Sequence, residues 1–189
     1  MKDERTKQFA YSFHAATDEH GFILGTIVTP GNIHDSHMLQ PLVEKVIEKV
    51  KKPLAVAADA AYKTPAITNF LLENQMLPVL PYTRPKTKDG FFRKHDYIYV
   101  DHYDSYICTN NQTLPYEAEH LRHHHEIKSI YAKRKETTER VFADAKEKHG
   151  MRWTTLRGLK KLSMQAMLTF AAMNFKKTCH MDLARCLER

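Results

Sequence analysis

The stretch from Tyr131 to Gly150, YAKRKETTERVFADAKEKHG, combines carboxylates and basic side chains at spacings that suit phosphate chemistry. On a regular helix of about 100° per residue, Lys135, Glu139 and Lys146 share one face. Glu139 and Lys146 then stand two turns apart, roughly 10 Å along the axis. A carboxylate that holds a metal ion beside a lysine that holds a phosphate backbone would use such a face. Alternatively, Lys135 and Glu139 form an ordinary i,i+4 ion pair on a solvated helix.

Asp59 is a second candidate because it follows the short apolar run from Leu54 to Ala58, LAVAA. A run of this kind between two helices predicts a buried strand in a parallel part of a sheet. Ligands of open α/β sheets gather at the carboxyl ends of such strands. Asp59 and Glu139 near basic side chains could bind two divalent ions, Mg²⁺ or Mn²⁺, for attack on a phosphodiester. Asp59 could instead only cap a turn.

Histidines and cysteines supply weaker candidates. A histidine run precedes Glu126 and comprises His120, His123, His124 and His125. No further carboxylate or cysteine set completes a metal site there, so a solvated polar helix is the favoured interpretation. The three cysteines are odd in number and form no CxxC, which predicts neither a disulfide framework nor a zinc ribbon.

Length and composition are typical of one soluble domain spanning residues 1–189. No apolar run approaches the roughly 18 residues of a membrane span, and no signal peptide is evident, so we expect a cytoplasmic protein that binds no membrane. The net charge of +7 and a pI near 9.2 favour a polyanionic partner such as nucleic acid. Part of this charge lies in one polar stretch, at Arg84, Lys86, Lys88, Arg93 and Lys94.

The elements that would position these residues begin with a hairpin. Two runs rich in β-branched and aromatic residues, Phe9 to Thr17 and Phe22 to Thr29, surround a short polar turn that ends in Gly21. Helical spacing follows in MLQPLVEKVIEKV, with Ser36 as the expected N-cap. Asp35 precedes this helix and could support the fold or the site.

The middle of the chain predicts helix, strand, helix and strand in succession. After the run that ends at Ala58, Thr64 and Pro65 open a helix as N-cap and first-turn residue, and Met76 to Leu80 forms the next strand. This alternation indicates an α/β sheet with crossover connections.

Residues 82–128 are predicted as a less regular inserted segment. Within it, Tyr97 to Val100 and Ser105 to Thr109 are expected to form a small hairpin. The Glu139 helix follows, with its apolar face of Thr138, Val141, Phe142 and Ala145 against a sheet. A last helix is predicted from Leu156 to Lys177, with a broad apolar face that includes Leu162, Met164, Met167, Leu168, Phe170 and Met173. Its methionines are expected to fill the core.

Several long motifs together resemble the catalytic core of bacterial insertion-sequence DDE transposases. They are GFILGTIVTPGNIHDS, VAADAAYKTPAI, RKETTERVFADAKEKHGMRWTTLRG and LTFAAMNFKK, and the resemblance covers nearly the whole chain. It implies an RNase H-like mixed sheet flanked by helices, as in retroviral integrases. It also implies metal-dependent DNA cleavage and strand transfer, with transposon ends and target DNA bound by a homodimer in a synaptic complex.

Carried over residue by residue, the resemblance implies that Asp59 is the second acidic residue of the catalytic triad and Glu139 the third. The family's Tyr, Arg, Glu, Lys signature falls on Tyr131, Arg134, Glu139 and Lys146. One residue more than usual separates its Arg from its Glu, so Lys135 could take the place of Arg134. These side chains are expected to position DNA at the metal ions.

The sequence departs from the family at two points. The first catalytic Asp would lie upstream of FAYSFHAATD, and neither Asp3 nor Asp18 is a convincing substitute. The segment between Cys108 and the Glu139 helix is also shorter than in many relatives. These departures predict an N-terminally truncated or internally deleted transposase of low activity. The alternatives are a non-catalytic DNA-binding remnant that pairs with or interferes with a full-length transposase, and an unrelated RNase H-like nuclease that uses the histidine run.

Overall fold

The computed structural model describes residues 10–81, 89–103, 105–115 and 125–187. Its elements follow in this order: β1 Tyr11–Thr17, β2 Ile23–Pro30, α1 Ser36–Lys49, β3 Ala55–Ala57, α2 Pro65–Glu73, β4 Leu77–Val79, β5 Ile98–Val100, β6 Ser105–Ile107, β7 Thr113–Pro115, α3 His125–Arg134, a π-helical turn Lys135–Glu139, α4 Arg140–Lys148 and α5 Leu159–Leu187. Within those described ranges, no helix combines the length and apolar composition that crossing a bilayer requires.

The predicted first hairpin is confirmed. β1 and β2 pair antiparallel, with an irregularity in register between Ala16 and Thr17. The carboxylate of Asp18 shapes the turn because it accepts hydrogen bonds from the backbone N–H of His20 at 3.0 Å and of Phe22 at 2.7 Å. Gly21 completes the turn at a φ of +76°, a conformation that residues with a Cβ rarely adopt.

The predicted helix, strand, helix, strand order is also confirmed. β3 and β4 pair in parallel, and α2 begins with Thr64, whose hydroxyl accepts from the N–H of Ile67 at 3.3 Å. The cap predicted for α1 is wrong, because Ser36 is already helical and Asp35 occupies the cap position without a side-chain hydrogen bond. Ser36 instead contacts the His34 ring through its hydroxyl at 2.8 Å.

The chain is of the α/β class, but the described strands do not form the single mixed sheet that was expected. They form three small sheets, β1-β2, β3-β4 and β5-β6-β7. β3 is half-buried rather than buried, and Leu54, predicted to start it, is 90% exposed. β3 and β4 have only three residues each, and α1, α2 and α3, rather than further strands, pack around them.

The predicted hairpin in the inserted segment is confirmed as β5 and β6, and β7 adds a third strand that the sequence pattern did not indicate. Arg84, Lys86 and Lys88 of the basic stretch lie outside the described residues. So do His120, His123 and His124, and α3 begins at His125.

The last helix is longer than predicted, and its buried face is narrower. Leu162, Ala166 and Phe170 recur every four residues and pack with Val28 and Val141. Met164, Met167 and Leu168 are exposed instead, whereas Met173 packs against the core, so the expectation that the methionines fill the core is wrong for Met164 and Met167. Met164 and Leu168 each stand two residues from the buried row, which is about 200° around a helix and therefore points away from the sheet.

Candidate active site

The helix predicted around Glu139 is not a regular α-helix. Residues Lys135–Glu139 form a π turn between α3 and α4. Residues five apart lie about 140° apart around an α-helix, and the wider π turn reduces that angle. Arg134 and Glu139 consequently face one another, and the Arg134 guanidinium donates from Nη2 to Glu139 Oε1 at 2.8 Å. The π turn thus allows two side chains five residues apart to pair.

Tyr131, Arg134 and Glu139 form one cluster, called the signature cluster below. The guanidinium carbon of Arg134 lies 5.4 Å from the centre of the Tyr131 ring, which stabilises the cation through the ring's negative face. The Arg134 side chain is only 15% exposed, whereas that of Glu139 is 49% exposed. Arg134 therefore has a fixed position, and Glu139 remains accessible from solvent.

One donor of Arg134 is unsatisfied within the described part of the chain. Its Nε is buried and has no hydrogen-bond partner. An unpaired buried donor costs about 1–3 kcal/mol, so Nε favours an acceptor wherever one can reach it.

The π turn is anchored to the first sheet by polar and apolar contacts. The hydroxyls of Thr17 and Thr138 form a hydrogen bond of 2.9 Å at the end of β1. Val141 and Ala145, on the same face of α4 as Thr138, are buried in the core with Val28. The predicted packing of this apolar face against a sheet is confirmed.

Lys135 and Lys146, the two lysines predicted for this site, are exposed and form no ion pair within the described residues. The predicted surface pair between Lys135 and Glu139 is therefore not formed, because the Glu139 carboxylate pairs with the Arg134 guanidinium instead. Lys146 stands seven residues after Glu139, about 20° around the helix from it, so the two residues share one side of α4.

Asp59 follows β3 and is exposed, at the N-cap of a short 3₁₀ turn over Ala60–Tyr62. Its Oδ1 accepts from the N–H of Ala60 at 2.6 Å, so the capping role considered from the sequence is present. In the described part of the chain its other oxygen accepts no hydrogen bond. The carboxylate therefore keeps one oxygen available to a ligand.

A buried polar pair beside Asp59 was missed by the sequence reasoning. His14 of β1 is 2% exposed, and its ring nitrogens contact the Tyr62 hydroxyl at 2.8 Å and the Thr29 hydroxyl at 3.1 Å. Burial lowers the pKa of His14, against an opposing effect of Asp35. Burial, with the charges of Asp35 and Asp59, raises the pKa of Tyr62 to about 12. The sequence offers little signal of this pair, because His14 alternates with the core-packing Tyr11, Phe13 and Ala15 and shares its face with Ser12.

Residues close in sequence to the two carboxylates contact β1 at different points. Tyr62, three residues after Asp59, contacts His14, whereas Thr138, next to Glu139, contacts Thr17. Three residues of strand span about 10 Å, so the two contacts lie apart along β1. Among the described residues no three acidic, histidine or cysteine side chains gather into a metal-binding group.

The donor chemistry nevertheless suits a hard divalent cation. Asp59 and Glu139 each have one carboxylate oxygen in a hydrogen bond and one oxygen free of any within the described chain. Mg²⁺ is commonly held by one or two carboxylates together with waters and substrate phosphates. The two side chains fit that role as partial ligands.

The model of the transposase DDE domain family matches residues 1–175, a range that contains all of the site residues discussed above. The chain therefore belongs to the transposase DDE domain family. Transposases act on DNA, so the class of partner is DNA and the class of reaction is the DNA cleavage of transposition. No curated protein and no solved structure gives a significant match to the chain.

Proposed function

We propose that this chain is a transposase catalytic domain that cleaves transposon ends and transfers the strands to target DNA with divalent metal ions. The observation that carries the proposal is the signature cluster. In a chain of this family, the π turn brings Tyr131 and Arg134 to Glu139 despite the unusual spacing.

Asp59 and Glu139 are proposed to hold Mg²⁺ or Mn²⁺, two ions in the complete site. Such ions, when bound, would lower the cost of developing charge on the attacking and leaving oxygens of a phosphodiester. Lys146 lies on the same side of α4 as Glu139 and is proposed to hold the DNA backbone, together with the exposed Lys135.

Arg134 is proposed to position Glu139 rather than to contact a metal. In the DNA-free chain its guanidinium partly neutralises the carboxylate that a metal would use. Its unpaired Nε and the accessible Glu139 favour a rearrangement on binding, in which a DNA phosphate competes for the guanidinium. Tyr131 stacks on Arg134 and limits how far that side chain moves.

A second candidate is a DNA-binding module without catalytic activity. It is favoured by the absence of a three-donor metal group among the described residues and by the net charge of +7. Such a module could pair with a complete transposase, whose synaptic complex is proposed to contain a homodimer, and lower its activity. With only two acidic residues assigned, slow cleavage is expected if the catalytic proposal holds, and no cleavage is expected of the non-catalytic module.

The test is a binding and nicking assay with supercoiled DNA that carries the terminal repeats of the element, in Mg²⁺ or Mn²⁺. The catalytic proposal predicts metal-dependent nicking that Asp59→Asn abolishes and the exposed control Asp89→Asn preserves. Binding without any nicking would favour the non-catalytic module. A chain that does not bind the DNA at all would contradict both.

A further inference from the structure

A basic groove lies between the β1–β2 turn, the end of α3 with the π turn, α4 and α5. It encloses about 700 Å³. Five lysine and arginine side chains line it against three acidic ones, and three histidines border it as well. The five cations are Lys133, Arg140, Lys148, Lys176 and Lys177. The groove therefore has an excess of positive charge, and none of these five cations is assigned to the proposed active site.

Two of the three acidic side chains of the groove are paired, and the third, Glu136, is exposed. Glu19 pairs with Lys133 at 3.7 Å, and Asp144 pairs with Lys148 at 2.8 Å. The hydrogen bond from Lys148 lowers the pKa of Asp144, and the nearby charges of Arg140 and Lys176 act in the same direction.

Two cations are left to attract an external anion. Arg140 and Lys176 are exposed and form no ion pair within the described chain. Both belong to helices, so their backbones are fixed before any ligand arrives.

The groove is held in shape by contacts between its walls. The side-chain amide of Asn174 forms two hydrogen bonds with the backbone of Ile23, accepting from its N–H at 2.9 Å and donating to its carbonyl at 2.8 Å. Lys177 contacts the carbonyl of His20 and lies 5.3 Å from the centre of the Phe22 ring. These contacts join α5 to the hairpin, so the groove does not have to form on binding.

The groove and the face shared by Glu139 and Lys146 lie on different sides of α4. Arg140, Asp144 and Lys148 line the groove at i,i+4 spacing. Lys146 stands two residues from Asp144 and from Lys148, about 200° around the helix axis. Arg140, Asp144 and Lys148 stand about 100°, 140° and 180° around the helix from Glu139, so DNA along the Glu139–Lys146 face and DNA in the groove would follow different sides of α4.

We infer that this groove binds the sugar–phosphate backbone of a second DNA segment, distinct from the segment at Glu139. The inference rests on the proposed function, because strand transfer requires two DNA segments on one protein. Arg140 and Lys176 would contact phosphates, with the other groove cations adding to the field. Phosphate contacts of this kind are independent of sequence and weaken with salt, which suits a segment whose sequence varies.

The experiment measures bridging of two duplexes. One short duplex is fixed to beads, the full chain is added, and capture of a second, fluorescent duplex is recorded over a salt series. The test variant is Arg140→Glu with Lys176→Glu. The matched control is Lys49→Glu with Lys52→Glu, which makes the same change in net charge at exposed positions near the end of α1. Circular dichroism confirms that both variants fold.

The inference predicts that the wild type and the control bridge the duplexes, whereas the groove variant holds the first duplex and captures the second at least about tenfold less. Two lost phosphate contacts should also reduce the slope of log K against log salt for the second duplex by about 2. Bridging that survives in the groove variant, or a wild type that binds one duplex and never bridges, would overturn the inference alone. A wild type that binds no DNA would overturn the proposed function with it.

Discussion

Asp59 and Glu139 are both exposed carboxylates of one proposed site, but different kinds of structure hold them. The backbone holds Asp59, which stands just after a strand and accepts from the N–H of the next residue. A side chain holds Glu139, through the Arg134 guanidinium and a helical turn that departs from α geometry. The position of Asp59 should therefore survive changes in neighbouring side chains, and that of Glu139 should not.

Deleting single residues tests whether the π turn tolerates a change in length that the regular helix α4 does not. Deleting Lys135 shortens the Arg134 to Glu139 spacing to four, which an ordinary α turn accommodates, so we expect a change in unfolding free energy within about 1 kcal/mol. Deleting Ala143 from the regular helix α4 rotates the buried Ala145 by about 100° out of the core and should cost about 3 kcal/mol or more. Urea unfolding followed by circular dichroism measures both. Equal losses would show that the π turn does not absorb an extra residue.

Metal affinity should show that a side chain controls only Glu139. Asp59→Asn and Glu139→Gln should each weaken Mn²⁺ binding by about tenfold, because each removes a charged oxygen ligand. Arg134→Gln should strengthen it, because the cation that competes for Glu139 is gone. Electron paramagnetic resonance of free Mn²⁺ reports the affinity, with Glu48→Gln as the exposed control. Weaker binding in Arg134→Gln would mean that the guanidinium assists the metal site.

The unfolding free energy should also be more sensitive to replacement of Glu139 than to replacement of Asp59, by a smaller amount. Glu139→Gln breaks an ion pair with a mostly buried partner and should lower the unfolding free energy by about 1 kcal/mol, a figure reduced for the half-exposed carboxylate. Asp59→Asn keeps a capping oxygen and should cost less than about 0.5 kcal/mol. Thermal unfolding of the two variants side by side checks the order. A larger loss for Asp59→Asn would reverse the comparison.

The buried pair beside Asp59 adds a contribution to stability that depends on pH. Burial lowers the pKa of His14 below its ordinary 6.5, so the unfolded chain binds a proton more readily than the folded chain. Its contribution to stability is complete above pH 6.5 and is lost as the pH falls through that value toward the lower folded-state pKa.

Replacing His14 should therefore flatten the dependence of stability on pH across that window. His14→Asn is compared with His20→Asn, an exposed histidine of the same hairpin, by urea unfolding from about pH 5 to 8. The His20 variant should keep the wild-type profile. Identical profiles for both variants would remove His14 as the source of the effect.

The features that could be predicted from the sequence are those that local signals determine. The hairpin and α2 follow from local signals, namely alternation in the strands, a Gly-ended turn and the pair Thr64 and Pro65. The place of Asp59 follows from strand order. The π turn does not follow, because helical periodicity assumes 3.6 residues per turn and the sequence contains no glycine or proline there to mark a change.

Tertiary contacts account for the remaining differences. The hydrogen bonds between the Asn174 amide and the Ile23 backbone help to determine which apolar row of α5 is buried. They join residues 151 positions apart. The pairing of His14 with Tyr62 is also distant in sequence. The basic groove required both the turn and α5 to be placed, so charge spacing along the chain did not indicate it.

The most direct test of the account is the affinity of the chain for a short terminal-repeat duplex over a salt series, measured by fluorescence anisotropy for the wild type, Arg134→Gln and Lys135→Gln. Both variants remove one positive charge. The account predicts linear loss of log K with log salt in the wild type, about a tenfold loss in Arg134→Gln and less than about threefold in Lys135→Gln, because only Arg134 holds Glu139 and Tyr131 in place. Equal losses in the two variants, or binding insensitive to salt, would contradict it.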